Sequence, residues 1–276
     1  MNYSQMRFPN FRKKALTLSY DDGVVFDKRL IEIMDKYGLK GTFNINGGLF
    51  AEQSGGRRLT KEEAVALYAN SPHEIAVHGF RHLSLGEVDQ GMMICDVIKD
   101  REELEKTFGR VIKGMAYANG SVNDKVVETL KACGILYSRT VVSTEKFAIP
   151  TDWLRLPATC HHSNPRLMEL AEAFVADTKA RNYWGDRPKL FYLWGHSYEF
   201  NDNDNWDVIE KFAEYVGGRE DVWYATNGEI YDYVKAFESL QFSANGALVR
   251  NPSAIDVYIC HLGKDVLVPA GQTVAR

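Results

Sequence analysis

Apolar residues along this chain follow two rhythms. In short runs they are nearly continuous, at residues 15–20, 41–46, 74–78, 113–117, 135–139, 190–195 and 222–225. Between the runs they recur at helical spacing. Phe26, Leu30, Ile33 and Tyr37 form one such stripe ending at Gly38, and Val126, Val127, Leu130 and Cys133 form another ending at Gly134; glycine is the common residue just past a helix. Later, Asn205 is placed to cap a helix bearing Trp206, Ile209, Phe212 and Val216, and Asn227 to cap one bearing Ile230, Tyr233 and Phe237. Strand-like runs alternating with helical stripes read as repeated βα units, so the fold class is α/β. Seven such units in 276 residues crowd an open sheet and predict a closed or nearly closed barrel, whose active site gathers at the C-terminal ends of the strands. The rhythm changes near Gln241. Asn245-Gly246 signals a hairpin turn, and residues 254–271 read as two strands joined by a short loop. The expected organisation is a barrel over residues 1–240 with a small C-terminal β extension, residues 241–276, packed on it.

Composition narrows the class. Hydrophobic residues at 45% and charged residues at 25% match ordinary globular usage, which excludes disordered, collagen-like and disulfide-framework proteins. A net charge of −4, with no basic cluster longer than residues 12–14, leaves no footprint for nucleic acid or an anionic membrane. Residues 1–16 lack the apolar core of a signal peptide, and no apolar run approaches membrane-spanning length. As written the sequence reads as cytoplasmic; a trimmed exported chain would look the same. Cys95, Cys133, Cys160 and Cys260 never form a CxxC pair and are expected as buried free thiols.

The candidate chemistry sits where strand-like runs end. The first run is followed by Asp21, Asp22 and Gly23. Adjacent side chains at a strand end point to opposite faces, so the two carboxylates can take different tasks. His78 and His82 follow another run and, with three residues between them, share one side of a turn. With Asp22 they make a three-donor set that leaves a position open on one divalent ion, zinc first among zinc, cobalt, nickel and manganese. Asp21 would then serve an attacking water as general base. The competing reading is a solvated turn whose aspartate caps the next helix; the histidines behind a second strand favour the metal. His196 closes the run at 190–195 and is positioned to protonate a leaving amine, or else to rest among Tyr192, Trp194 and Tyr198 as a structural histidine. His161 and His162, after another plausible strand end, are candidates for a substrate contact or an extra ligand. Tyr198, Trp206, Tyr183 and Trp184 offer flat rings for stacking on sugars, although Trp206 fits a buried helix face equally well.

These residues resemble the motifs of the polysaccharide deacetylases, carbohydrate esterase family four or NodB-homology proteins, over residues 14–233. Residues 19–23, SYDDG, are similar to the family's first motif, and residues 78–82, HGFRH, to its second, with Gly79 in place of the usual hydroxyl residue. Residues 193–196, LWGH, resemble the late Leu-x-His motif with one residue inserted. The resemblance implies a distorted (β/α)7 barrel and metal-dependent removal of N-acetyl groups from amino-sugar polymers; a few relatives hydrolyse small cyclic amides or imides. It assigns Asp21 as base, Asp22, His78 and His82 as metal ligands, and His196 as acid. The third motif is altered: residues 115–121, MAYANGS, place Asn119 where the family has a tyrosine whose backbone N–H helps to hold the oxyanion. Tyr117 beside it, Arg139 as the arginine that tunes the base, and Asp152-Trp153 as the family's Asp-Trp pair are further candidates to line the substrate site. Two other readings stand beside deacetylation. One is hydrolysis of a small non-sugar amide on the same site, favoured by the missing signal peptide. The other is a carbohydrate-binding protein with weakened turnover, motivated by the altered third motif and opposed by the presence of both aspartates.

Overall fold

The computed structural model describes residues 3–176, 187–261 and 263–275. Its central strand, Lys14–Asp21, is buried along its whole length, Thr17 and Ser19 as well as Leu16 and Leu18, as expected of a parallel strand covered on both faces. Gly41–Ile45 lies parallel on one side of it and Lys189–Gly195 on the other. Val222–Tyr224 pairs with Lys14–Leu16, just before the pairing with Gly41–Ile45 begins at Leu18. Beyond Gly41–Ile45 the parallel order continues through Glu74–Val77, Gly114–Ala116, Tyr137–Ser143 and Leu156–Ala158.

At the far flank, Lys189–Gly195 pairs with Cys160–His161. The two ends of the ladder are thus consecutive parts of one extended run, separated by Thr159 alone. Its N–H donates to the Tyr192 carbonyl at 2.8 Å, and its own carbonyl accepts from Glu145 N–H at 2.8 Å. The sheet therefore curls into a ring. Of nine strands, Leu156–Ala158 and Cys160–His161 share one position and Val222–Tyr224 stands beside the start of the first, which leaves seven around the ring. The distortion falls where the run through Thr159 changes neighbours, next to a register shift between Arg139 and Ser143.

Pleating sends alternate side chains to opposite faces of a strand. Leu16, Leu18 and Tyr20 face outward and pack with Leu30, Met34 and Phe212 of the surrounding helices. Ala15 instead joins the interior with Tyr137, Leu156, Tyr192 and Trp194. Thr17, Ser19 and Asp21 follow Ala15 in that alternation, so register alone delivers Asp21 to the inside of the ring at its C-terminal mouth.

The helices Asp27–Lys36, Lys61–Tyr68, Gln90–Phe108, Asp124–Ala132, Leu167–Val175, Asp207–Val216 and Asn227–Glu238 cover the ring. Gly38 and Gly134 follow two of them with φ of 67° and 72°, the left-handed conformation expected just past a helix. Two expected caps are displaced by one residue. Thr226, with Glu229 in a capping box, caps the last helix; Asn227 is turned into the ring, accepting from Thr17 Oγ1 and donating to the Tyr192 hydroxyl. Trp206 rather than Asn205 occupies the N-cap of Asp207–Val216.

After the last helix, Gln241–Phe242, Leu248–Arg250 and Thr273–Ala275 form one small antiparallel sheet. Val257–His261 and Lys264–Val268 form a hairpin to which Met6–Arg7 adds a third strand. Val249, Val257, Ile259 and Val268 pack against Ala236 and Leu240. Cys133 and Cys160 are buried thiols, while Cys95 and Cys260 are only partly covered. Among the described residues no helix is long and apolar enough to cross a membrane.

Candidate active site

Three strand ends meet at the mouth of the ring. Lys14–Asp21 brings Asp21 and Asp22, Glu74–Val77 brings His78 and His82, and Lys189–Gly195 brings His196. Asp22 and His82 have φ of 87° and 58°, conformations uncommon for side-chain-bearing residues and kept where the surroundings enforce them. Asp22 is fixed by its N–H, which donates to the Asn44 carbonyl at 2.9 Å. Its Oδ1 lies 3.9 Å from His78 Nε2 and 3.7 Å from His82 Nε2, and one donor atom from each of the three lies within 4.8 Å of the other two. Buried His78 has Nδ1 2.9 Å from the Ala116 carbonyl, a contact that holds the proton on Nδ1 and leaves the Nε2 lone pair facing Asp22. Two imidazoles and a carboxylate converging with a fixed tautomer fit a zinc-class ion.

The loop carrying these histidines is held from below by the helix Gln90–Phe108. Asp100 accepts from His78 N–H at 2.9 Å and also from Gly47 N–H; burial pushes its carboxyl up to about 8. Asp96 accepts from Arg81 N–H at 3.0 Å.

Asp21 is almost wholly enclosed. Its Oδ1 accepts from Asn44 Nδ2 at 2.8 Å, and its Oδ2 contacts the guanidinium of Arg139, which is itself buried and lies 4.3 Å over the Trp194 ring. Burial, the largest influence, pushes the Asp21 carboxyl up; Arg139, His78 and His196 together outweigh it and hold the group at about 2. His78 Nε2 and His196 Nε2 stand 3.8 and 3.9 Å from Oδ2.

His196 faces Asp21 with one ring nitrogen and Glu199 with the other, Nδ1 lying 3.3 Å from Oε1. Burial favours its neutral form, yet Glu199 and Asp21 raise its pKa above the ordinary histidine value. Glu199 also lies 2.7 Å from His162 Nε2 and 3.2 Å from His161 Nε2. Burial opposes its charge, but the three imidazoles hold it well below the usual carboxylate range.

The structure thus brings together Asp21, Asp22, His78, His82, Arg139, His161, His162 and His196. Tyr198 joins them, its ring 5.0 Å from His196 and covered by Arg57 at 4.7 Å. Asn119 stands just past Gly114–Ala116 with φ of 56°, its Nδ2 donating to Ser84 Oγ at 3.0 Å. Tyr117 is buried, its hydroxyl donating to the Leu154 carbonyl at 2.7 Å. Asp152 and Trp153 are not brought to the mouth. Asp152 accepts from Leu154 N–H at 3.2 Å and pairs with Arg155. Trp153 is buried 5.2 Å from Tyr231, among Tyr137 and Leu190 at the end where the strands begin. The indole beside Arg139 is that of Trp194. Trp206 is likewise buried, against Phe200 at 5.2 Å; Tyr183 and Trp184 lie outside the described residues.

Sequence reasoning missed three contributors. Glu199 is three residues after His196, a spacing that places the two side chains on one helical face and could have flagged it. Trp194 was taken only as a neighbour of His196. Arg58, whose Nη2 lies 3.2 Å from Asp22 Oδ1 and whose Nη1 donates to Asn46 Oδ1 at 2.9 Å, comes from a stretch with no motif.

A parallel strand ring with paired carboxylates and histidines at its C-terminal mouth defines a (β/α)-barrel protein. The "Xyl-CE4" domain of a multidomain xylanase from the hindgut metagenome of Trinervitermes trinervoides shares that fold with a TM-score of 0.54 at 13% identity, over 85% of this chain and 99% of the other. A family 4 carbohydrate esterase from Streptomyces lividans, solved with acetate, gives 0.52 at 13% identity over 78% and 93%. A Mycobacterium smegmatis structure described as a polysaccharide deacetylase gives 0.61 at 18% identity over 85% and 94%. No curated protein matches the sequence significantly. Residues 9–138, which hold both the Asp21-Asp22 and the His78–His82 motifs, match the family profile described as polysaccharide deacetylase.

Proposed function

We propose that the protein is a metal-dependent hydrolase that removes N-acetyl groups from an amino-sugar oligosaccharide or polysaccharide, with Asp22, His78 and His82 holding one divalent ion, zinc first and cobalt, nickel or manganese in its place. One observation carries this reading: an ionised Asp21 and a His196 with raised pKa face each other at 3.9 Å beside that donor set. When bound, such an ion lowers the pKa of water from about 15.7 toward about 7 and polarises a carbonyl. Asp21 is placed to take the proton of the attacking water, while Arg139 and Asn44 keep its carboxylate oriented and charged. An amine leaves only once its nitrogen is protonated, and His196, biased toward imidazolium by Glu199 and Asp21, is the donor. The Asn119 backbone N–H, at the neighbouring strand end, is assigned to the carbonyl oxygen as charge develops there. The match of residues 9–138 to the polysaccharide deacetylase profile supports the reaction, and the acetate in the S. lividans structure is the acid that deacetylation releases.

The test is a screen of zinc-reconstituted protein against N-acetylglucosamine oligomers, peptidoglycan fragments and cyclic amides. Acetate release from the saccharides is expected. Ring opening without acetate release would replace this reading with small-amide hydrolysis. Saccharide binding without turnover would make the chain a binding protein.

A further inference from the structure

Two consecutive arginines reach the mouth from the connection between Gly41–Ile45 and Lys61–Tyr68. Residues 57–59 run antiparallel to residues 23–25. The Arg57 carbonyl accepts from Val25 N–H at 3.0 Å, Leu59 N–H donates to the Gly23 carbonyl at 3.3 Å, and Arg58 stands opposite Val24. Neighbours in an extended stretch point to opposite sides. Arg57 accordingly turns to Tyr198 and Asp202, on the side of His196, while Arg58 turns to Asp22. Backbone pairing just past Asp22 thus decides where the Arg58 side chain goes.

Arg58 holds Asp22 at two points. Its Nη1 donates to the Asp22 backbone carbonyl, and its Nη2 lies 3.2 Å from Oδ1, the same oxygen that faces His78 Nε2 and His82 Nε2. One planar fork therefore restrains both the backbone and the side chain of a residue whose φ of 87° persists only where its surroundings enforce it. Nη1 also donates to Asn46 Oδ1 at 2.9 Å. Asn46 is buried, and its Nδ2 donates to the carbonyls of His78 at 3.0 Å and Gly79 at 2.7 Å. A continuous bridge thus runs from Asp22 through Arg58 and Asn46 to the His78 loop, joining donors that come from different strands. By charge alone, a guanidinium beside a cation site weakens binding of the ion, so charge and geometry make opposite forecasts for its removal. We infer that Arg58 is a positioning residue of the metal centre, holding Asp22 in place against His78 and His82 before the ion arrives, and that its geometry outweighs its charge. This role rests on Asp22, His78 and His82 being the ligands and not on which amide is cleaved.

The experiment is zinc affinity of the metal-stripped full chain, read by competition with a chromophoric chelator, for wild type, Arg58→Met, Arg58→Lys and His82→Ala, with circular dichroism of the metal-free proteins as the check of folding. The Arg58 side chain is 29% exposed and methionine keeps its stem, so the replacement does not open the core. Arg58→Met is expected to bind zinc about 10–100-fold more weakly, although it has lost a repelling charge. Arg58→Lys keeps the charge without the fork and should be weakened at least as far. Unchanged or tighter binding in Arg58→Met would overturn the inference, and so would wild-type affinity in Arg58→Lys; with His82→Ala still impaired, either result leaves the ligand set standing. Equal affinity in wild type and His82→Ala would sink the ligand set and the role of Arg58 with it.

Discussion

Asp21 and Asp22 are neighbours in sequence, yet only Asp21 has a guanidinium on one oxygen and a carboxamide on the other. The proposed division of labour rests on those contacts. Asp21→Asn keeps the side chain's shape and removes the proton acceptor, so metal content is expected to stay near wild type while acetate release falls by about 10²–10⁴-fold; joint loss of metal and activity would make Asp21 a ligand instead. Arg139→Leu removes the strongest influence that lowers the Asp21 pKa and leaves burial to act. The acidic limb of the pH–rate profile should then move to higher pH, and an unmoved limb would show that Arg139 is not what keeps Asp21 charged. For His196→Ala, the loss on an acetamide should far exceed the loss on an activated aryl ester, whose leaving group departs without a proton; equal losses would assign His196 to positioning. At this scale the residues that close apolar runs were legible because strand ends are where a barrel gathers its chemistry. Asp152 and Trp153 misled because a dipeptide in a connection does not reveal which end of the ring it visits.

Helices and strands show what a pattern can and cannot announce. The strands 14–21, 41–45 and 189–195 are rich in apolar and β-branched residues and were readable as strands, but the closing run, residues 156–161, is short, contains Pro157 and mixes Thr159 with Cys160 and His161. It is a strand because two neighbours offer it partners, a tertiary fact without a local signal. The helix Gln90–Phe108 was equally silent about its role, since Asp96 and Asp100 look like surface residues of an amphipathic helix and are instead buried under the histidine loop. Asp100→Ala deprives the His78 and Gly47 N–H groups of their carboxylate. A loss of about 1–3 kcal/mol in denaturant-measured stability is expected, with metal affinity about 10–100-fold weaker in chelator competition. Unchanged affinity would confine Asp100 to the fold.

Across the whole molecule, Asp27 ties together parts that are far apart in sequence: it accepts from Val24 N–H at 3.1 Å, from the Tyr68 hydroxyl at 2.6 Å, and from Ser197 Oγ. Burial, with Asp22 adding to it, pushes its carboxyl up to about 7, against about 3.9 in an unfolded chain. The folded state therefore holds the proton more tightly between those values, and this group's contribution to stability falls as pH rises from about 4 to about 7, then levels off. Three pKa units correspond to about 4 kcal/mol. Asp27→Asn carries no such dependence, so its stability relative to wild type should improve between pH 5 and pH 8 in denaturant melts; a constant difference would show an ordinary carboxyl. Ring closure also has a consequence for how the chain is made. Lys14–Asp21 leaves the ribosome long before its partner on one flank, which begins only at Lys189. Throughout that interval a long apolar strand presents unpaired N–H and C=O groups, the template on which chains stick to one another. Its rescue waits on a contact between distant parts of the sequence, the slow kind, so nascent or truncated chains that stop short of Lys189 are the species expected to aggregate and to need chaperones.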